Sequence, residues 1–94
     1  MIHKTTAAST LSVTQYAEVL FATSLQESDN PAPAQLCTAV QRAWVAGGAS
    51  CDRFAAHLAQ EAGDHPEETA RRMRWAVATA TRSVSRQRLA LVAG

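Results

Sequence analysis

The sequence predicts an all-α protein that folds as a compact bundle of about four helices. Apolar residues recur at helical spacing in four segments, turn-forming residues separate these segments, and no segment alternates strongly enough to predict a strand. The 94 residues leave room for one domain, and 47% hydrophobic with 18% charged residues is an ordinary globular composition. We expect a flexible arm over residues 1–11, a helical domain over 12–84, and a tail or helix extension over 85–94.

The first two helices have recognisable start and stop signals. The first is expected to begin at Ser12, which has the spacing of a capping box with Gln15. The turn-forming cluster at 27–31 cannot continue a helix and ends it. Pro33 suits the first turn of the second helix, and the glycine pair at 47–48 supplies its left-handed stop.

The third and fourth helices follow from similar signals. Ser50 is the expected cap of the third helix, and Gly63 is its expected end. Pro66 suits the first turn of the fourth helix, where Glu67 and Glu68 complement the helix dipole. Apolar residues at steps of three and four predict the face of this helix that packs on the core: Ala70, Met73, Val77, Ala80 and Val84.

Helices three and four, over residues 54–73, resemble the helix-turn-helix of bacterial transcription regulators. Ala59 matches the small residue through which the first helix of that motif packs on the second, and Gly63 matches the glycine of its turn. Asp64 stands where an apolar residue is usual, and Glu68 is one additional residue. The resemblance implies a helix-turn-helix-like pair whose second helix enters the major groove of DNA.

Residues 14–80 are also similar to small, functionally unassigned helical proteins of actinomycetes. The residues that carry this similarity lie in the segments 16–21, 24–31, 63–66 and 72–76. The resemblance implies a cytoplasmic location and a regulatory role, and it supplies no activity and no functional residues.

No pattern in the sequence indicates catalysis, so we expect no enzyme and no cofactor. A phosphate-binding glycine loop and a nucleophile elbow are both missing, and Cys51 and His57 would point to different faces of one helix. We expect Cys37 and Cys51 to be reduced thiols, and their spacing from His57 and His65 lacks the close ligand pairs of zinc sites. Without a run of 18 apolar residues or a secretory signal, we expect no membrane association and a cytoplasmic location.

The charge is divided unevenly along the chain. Residues 1–68 carry three basic and eight acidic side chains, a net charge of −5, whereas residues 69–94 carry six arginines and no acid. At about 100° per residue, several arginines share the outer face of helix four with a tryptophan. Arginine donates charge-assisted hydrogen bonds to phosphate or carboxylate, and exposed tryptophan is frequent in interfaces. The candidate binding residues are Arg71, Arg72, Arg74, Trp75, Arg82 and Arg86.

These residues are compatible with two functions. In a DNA-binding regulator, the arginines at 71–74 would contact phosphates or base edges, and Arg82, Arg86 and Arg88 would hold the backbone. In a protein-interaction module, Trp75 and its neighbouring arginines would dock on an acidic protein partner or on a second copy in a homodimer. The acidic first turn and the isoelectric point of about 7.9 count against DNA.

Overall fold

The computed structural model describes residues 10–93, which form four α-helices, one short 3₁₀ helix and no strand. The prediction of an all-α bundle of about four helices is therefore confirmed. The elements are α1 (Val13–Phe21), the 3₁₀ helix (Glu27–Asp29), α2 (Pro33–Ala46), α3 (Cys51–Asp64) and α4 (Pro66–Ala93). Most of the expected N-terminal arm lies outside the described residues, but Leu11 at its end is buried in the core. Leu11 therefore belongs to the helical domain.

The helix starts agree with the signals in the sequence. The Ser12 hydroxyl accepts a hydrogen bond from the Gln15 amide at 3.1 Å, and the Gln15 side chain accepts one from the Ser12 amide at 3.0 Å. Pro33 is the first residue of α2. The Ser50 hydroxyl accepts a hydrogen bond from the amide of Arg53 at 3.2 Å and so caps α3.

The helix ends agree less well. The chain does leave α2 through left-handed backbone, at Gly48 with φ of 75° and at Ala49 with φ of 54°. Gly63 does not end α3 as predicted, because the helix continues past it and only His65 separates α3 from α4. At the far end, α4 continues to Ala93, so residues 85–93 extend this helix.

Helix α1 lies in the centre of the fold and packs against all three other helices, most extensively against α4. Its buried residues cover a wide arc of the helix, whereas Thr14 on the remaining side is exposed and Gln15 and Glu18 are half-buried. Its buried residues are Tyr16, Ala17, Val19, Leu20 and Phe21. The 28 residues of α4 span about 42 Å. This length matches the 41 Å long dimension of the molecule, whose shortest dimension is 17 Å.

The buried face of α4 differs from the predicted one. Ala80 and Val84 are buried and Met73 is half-buried, but Ala70 and Val77 are exposed. Small and polar residues form most of the buried face, which consists of Thr69, Ala76, Thr79, Ala80, Ser83 and Val84. Short side chains allow α4 to approach α1 closely, and a pattern based on hydrophobicity alone does not count threonine and serine as core residues.

A second part of the core joins α2 to α3 through two aromatic rings. Trp44 is only 2% exposed, and its ring stacks on that of Phe54 with 5.9 Å between centroids and 21° between planes. Gly47 lies against the same phenyl ring, where an added Cβ would come within 2.5 Å of a ring carbon. Glycine at this position is therefore required by the close approach of Phe54 to the end of α2.

Tyr16 holds its phenol in the core between three helices, with Cys37 of α2 and both Ser83 and Arg86 of α4 nearby. The side chain is 1% exposed, and this burial raises the pKa of the Tyr16 phenol above its usual value of 10.0. The Ser83 hydroxyl is buried beside it without a hydrogen bond of good geometry among the described residues. The phenol is thus kept neutral by its surroundings.

Because of this burial, we expect the free energy of unfolding to fall as the pH rises above 10. The unfolded chain then releases the Tyr16 proton while the folded chain retains it, so ionisation favours unfolding by up to about 1.4 kcal/mol per pH unit. Below pH 10 both states hold the proton and the residue contributes no pH dependence. Tyr16 is the only tyrosine, so tyrosinate absorbance reports its titration directly. Urea unfolding of Tyr16→Phe should lack this alkaline loss, and an equal loss in both proteins would contradict the expectation.

Candidate interaction surface on α4

Arg72 points inward from α4 and holds the end of α1. Its guanidinium donates hydrogen bonds to four backbone carbonyls at the end of α1 and in the loop that follows: Nε to Phe21 O at 3.0 Å, Nη1 to Leu25 O at 2.7 Å, and Nη2 to Thr23 O at 2.8 Å and Leu20 O at 3.4 Å. The guanidinium also lies between two aromatic rings, 5.6 Å from the Phe21 centroid and 5.2 Å from that of Trp75. We call these contacts the Arg72 anchor.

The Arg72 anchor gives a structural role to a residue that the sequence assigned to contacts with DNA or a partner. Burial lowers the pKa of the Arg72 guanidinium, but arginine starts so high that the group stays charged. Helix α1 carries no basic residue in its own last turn. The cation of Arg72 therefore complements the negative end of the α1 dipole from a neighbouring helix, and four hydrogen bonds engage most of its five N–H donors within the fold.

Trp75 is half-buried at the junction between α4 and residues 26–31. One side of its ring contacts the Arg72 guanidinium. The ring also lines two adjoining depressions, one of about 340 Å³ shared with Gln26 and Arg71, and one of about 170 Å³ shared with Pro31 and others. The core therefore fixes one part of the indole, and the other part borders solvent-filled concave surface.

Three exposed arginines surround this tryptophan. A third depression, of about 330 Å³, is lined by Glu27, Arg71, Arg74, Trp75, Ala78 and Arg82. These six residues are called the Trp75 surface below. Arg82 donates a long hydrogen bond of 3.4 Å to the Thr79 hydroxyl. Within residues 10–93, none of the three arginines forms a salt bridge, although Glu27 borders the same depression. The structure thus brings together four of the six sequence-predicted residues.

Arg86 lies apart from the other predicted residues. It is exposed one turn beyond Arg82, and its charge acts on the buried phenol of Tyr16. It does not line the depressions that surround Trp75. Leu89, which is 69% exposed, lies further along α4 on the same side as Arg71 and Arg82. The arginine-rich side of α4 therefore also presents a large apolar residue.

The residues that carried the helix-turn-helix resemblance do not take the places that it implies. Ala59 is exposed on α3, and Gly63 lies inside α3 with ordinary helical backbone. Helix α4 begins directly after His65, so the turn is a single residue instead of the several that the motif uses. Helices α3 and α4 are consecutive and in contact, and the connection between them is shorter than the turn of the motif.

The described part of the chain lacks both a cluster of metal-binding side chains and a membrane-spanning helix. Among residues 10–93, no group of three or more histidine, cysteine or acidic side chains is arranged to hold a metal ion. None of the helices there has the length and apolar character needed to cross a membrane. Cys37 is exposed, Cys51 is half-buried, and both are free thiols.

Sequence reasoning missed two features of this site. The role of Arg72 could have been suspected, because a helix without a basic residue near its end often receives a cation from elsewhere, but the pairing spans about fifty positions. The pattern of α4 could not show that Glu27 lines the third depression, because this residue belongs to the 3₁₀ helix. Comparisons with protein-family models, curated proteins and solved structures gave no match, so the interpretation of the Trp75 surface depends on its own geometry.

Proposed function

We propose that this protein is an interaction module that binds an acidic protein segment on the Trp75 surface. The observation that carries the proposal is the grouping of Arg71, Arg74 and Arg82 around a half-buried tryptophan. Guanidinium groups form paired hydrogen bonds with carboxylates, and they do so best where water is partly excluded. A concave surface beside an aromatic ring supplies that environment.

The charge of the surface supports an acidic partner. The described residues contain no carboxylate that pairs with these arginines, although Glu27 lies at the edge of the same depression. A partner that brings further carboxylates therefore meets donors that the fold leaves unused. The six arginines between residues 69 and 94, with no acid among them, give this part of α4 a positive field that steers such a partner.

The apolar part of the surface favours protein over nucleic acid. Trp75, Ala78 and the 69% exposed Leu89 lie on the same side of α4 as the arginines. Depressions of about 170 to 340 Å³ are of a size for single side chains. Arg72 holds the end of α1, so it is less available for the phosphate contact that the DNA hypothesis assigns to it.

The experiment is a fluorescence anisotropy titration with two labelled probes in the same buffer. One probe is a peptide of about 15 residues that combines glutamates with leucine and phenylalanine, and the other is a mixed-sequence DNA duplex. We expect the peptide to bind with a Kd of about 10 µM, to weaken at higher salt, and to bind more tightly than the duplex. Tighter binding of the duplex, or binding of neither probe, would overturn the proposal.

Single substitutions test whether the acidic peptide binds at the Trp75 surface. Arg71→Glu and Arg82→Glu change exposed side chains and should each weaken peptide binding by about tenfold or more. Trp75→Ala should weaken it by about 30-fold, which corresponds to about 2 kcal/mol. Arg42→Glu is the matched control, because it makes the same charge change at an exposed position on α2. If Arg42→Glu weakens binding as much as Arg71→Glu does, only net charge matters and the proposed surface is wrong.

A further inference from the structure

Helix α4 presents a second exposed surface beside the Trp75 surface. Ala70, Met73 and Val77 follow one another at steps of three and four along the helix. Together with Arg74 and Ala78 they line an open groove of about 420 Å³ whose walls are mostly apolar. Val77 is 42% exposed, and Ala70 is exposed as well. We call the row Ala70, Met73 and Val77 the apolar seam.

The spacing of the apolar seam is that of a helix–helix interface. Steps of three and four keep side chains on one line along a helix, and this is the pattern by which helices pack against each other lengthwise. The bundle uses the neighbouring face of α4, centred on Ala76 and Ser83, and it covers Met73 in part. Ala70 and Val77 of the seam therefore remain exposed among the described residues. They lie on a helix about as long as the 41 Å long dimension of the molecule.

The charges along α4 favour an antiparallel over a parallel orientation for a second α4 helix on this seam. Glu67 and Glu68 occupy its first turn, and every charged residue after them is an arginine. A parallel copy of α4 would place arginines beside arginines along the whole length. An antiparallel copy places the acidic start of each helix beside the arginine-rich end of the other, and it also opposes the two helix dipoles. The helix is thus complementary to itself in one orientation.

We propose that a second copy of this chain binds to the apolar seam, with the two α4 helices antiparallel and Val77 close to the two-fold axis. In a two-fold pairing centred on residue 77, residue 67 of one copy comes level with residue 87 of the other. Glu67 then lies beside Arg88 of the second copy, and this contact occurs twice. The exposed Val77 side chains meet at the centre, as a closed isologous interface requires. The seam is a different row of α4 from the Trp75 surface, although Arg74 and Ala78 border both. The pairing of two copies does not require an acidic partner.

Sedimentation velocity of the full chain over a range of concentrations tests the pairing. We expect the mass to rise from 10.0 kDa to twice that value as the concentration increases. Val77→Arg should raise the dissociation constant by at least about 30-fold, because it places two cations at the axis. Its circular dichroism should match the wild type, since residue 77 is exposed in the monomer. A wild-type protein that stays monomeric at about 1 mM, or a Val77→Arg dimer as tight as the wild type, would overturn the proposal.

A charge exchange tests the orientation. Glu67→Arg and Arg88→Glu should each weaken the dimer by about tenfold, whereas the double variant should return to within about threefold of the wild type. The exchange restores the contact only if residues 67 and 88 meet across the interface. Arg53→Glu, at an exposed position on α3, is the control for net charge and should leave the dimer unchanged. A double variant weaker than both single variants would rule out the antiparallel pairing.

Discussion

Replacement of Arg72 by alanine is expected to lower the free energy of unfolding by about 3–5 kcal/mol. The change removes the donors to four backbone carbonyls and the cation that lies between the rings of Phe21 and Trp75. Carbonyls left without donors at a half-buried helix end cost more than the net value of the bonds themselves. For a chain of 94 residues, whose total stability is of the order of 5–14 kcal/mol, this is a large fraction.

Thermal and urea unfolding, followed by circular dichroism, measure this loss. Arg72→Lys should recover only part of the stability, because an ammonium keeps the charge but cannot reach carbonyls in several directions as the guanidinium fork does. Arg71→Ala is the control: this neighbour is exposed, and its loss should change the free energy of unfolding by no more than about 0.5 kcal/mol. If Arg72→Ala and Arg71→Ala have the same stability, the anchor is not what holds α4 to the end of α1.

Replacement of Trp44 by alanine is expected to cost about 3–5 kcal/mol as well, for a different reason. The indole is 2% exposed, and its removal leaves a cavity beneath α2 that the neighbouring helices cannot fill. Its stacking on Phe54 is lost at the same time. Because the core of so small a domain holds few large side chains, we expect a lower melting temperature and partial loss of cooperativity.

The adjacent residue provides a matched comparison for this variant. Val45 is on the same helix and 64% exposed, so Val45→Ala should leave the urea midpoint almost unchanged. A double-mutant cycle between Trp44→Ala and Phe54→Ala should show a coupling of about 0.5–1.5 kcal/mol. Additive losses, with no coupling between the two substitutions, would mean that the stacked geometry contributes nothing beyond the burial of each ring.

Local signals predicted the helices, and long-range contacts decided the rest of the fold. The capping box at Ser12, the first-turn Pro33 and the Ser50 cap each depend on residues within three positions, and all three are present in the structure. The buried face of α4 was predicted less well, since Thr79 and Ser83 are buried through close contact between helices instead of through apolar character. Such packing depends on which helix lies opposite, and this information is spread over the whole chain.

The candidate site shows the same difference between what local signals predict and what long-range contacts decide. Helical geometry alone placed Arg71, Trp75 and Arg82 on one side of α4, and in the structure they line one depression. Arg72 was assigned to the same set because the sequence cannot show that a carbonyl-lined end of α1 lies beneath it. The helix-turn-helix expectation depended on Gly63, and the absence of a left-handed bend there left α3 and α4 with a different connection.

The Arg72 anchor has a consequence for the behaviour of the protein in acid. Many small domains unfold at low pH because the carboxylates of their ion pairs become protonated. The partners of Arg72 are main-chain carbonyls, which do not titrate in that range, and the guanidinium keeps its charge. The contact between α4 and the end of α1 is therefore expected to persist at a pH that would break an ion pair between arginine and a carboxylate. If the Trp75 surface binds the acidic partner proposed above, protonation of the partner's carboxylates would release it under the same conditions, while Arg72 still holds α4 to the end of α1.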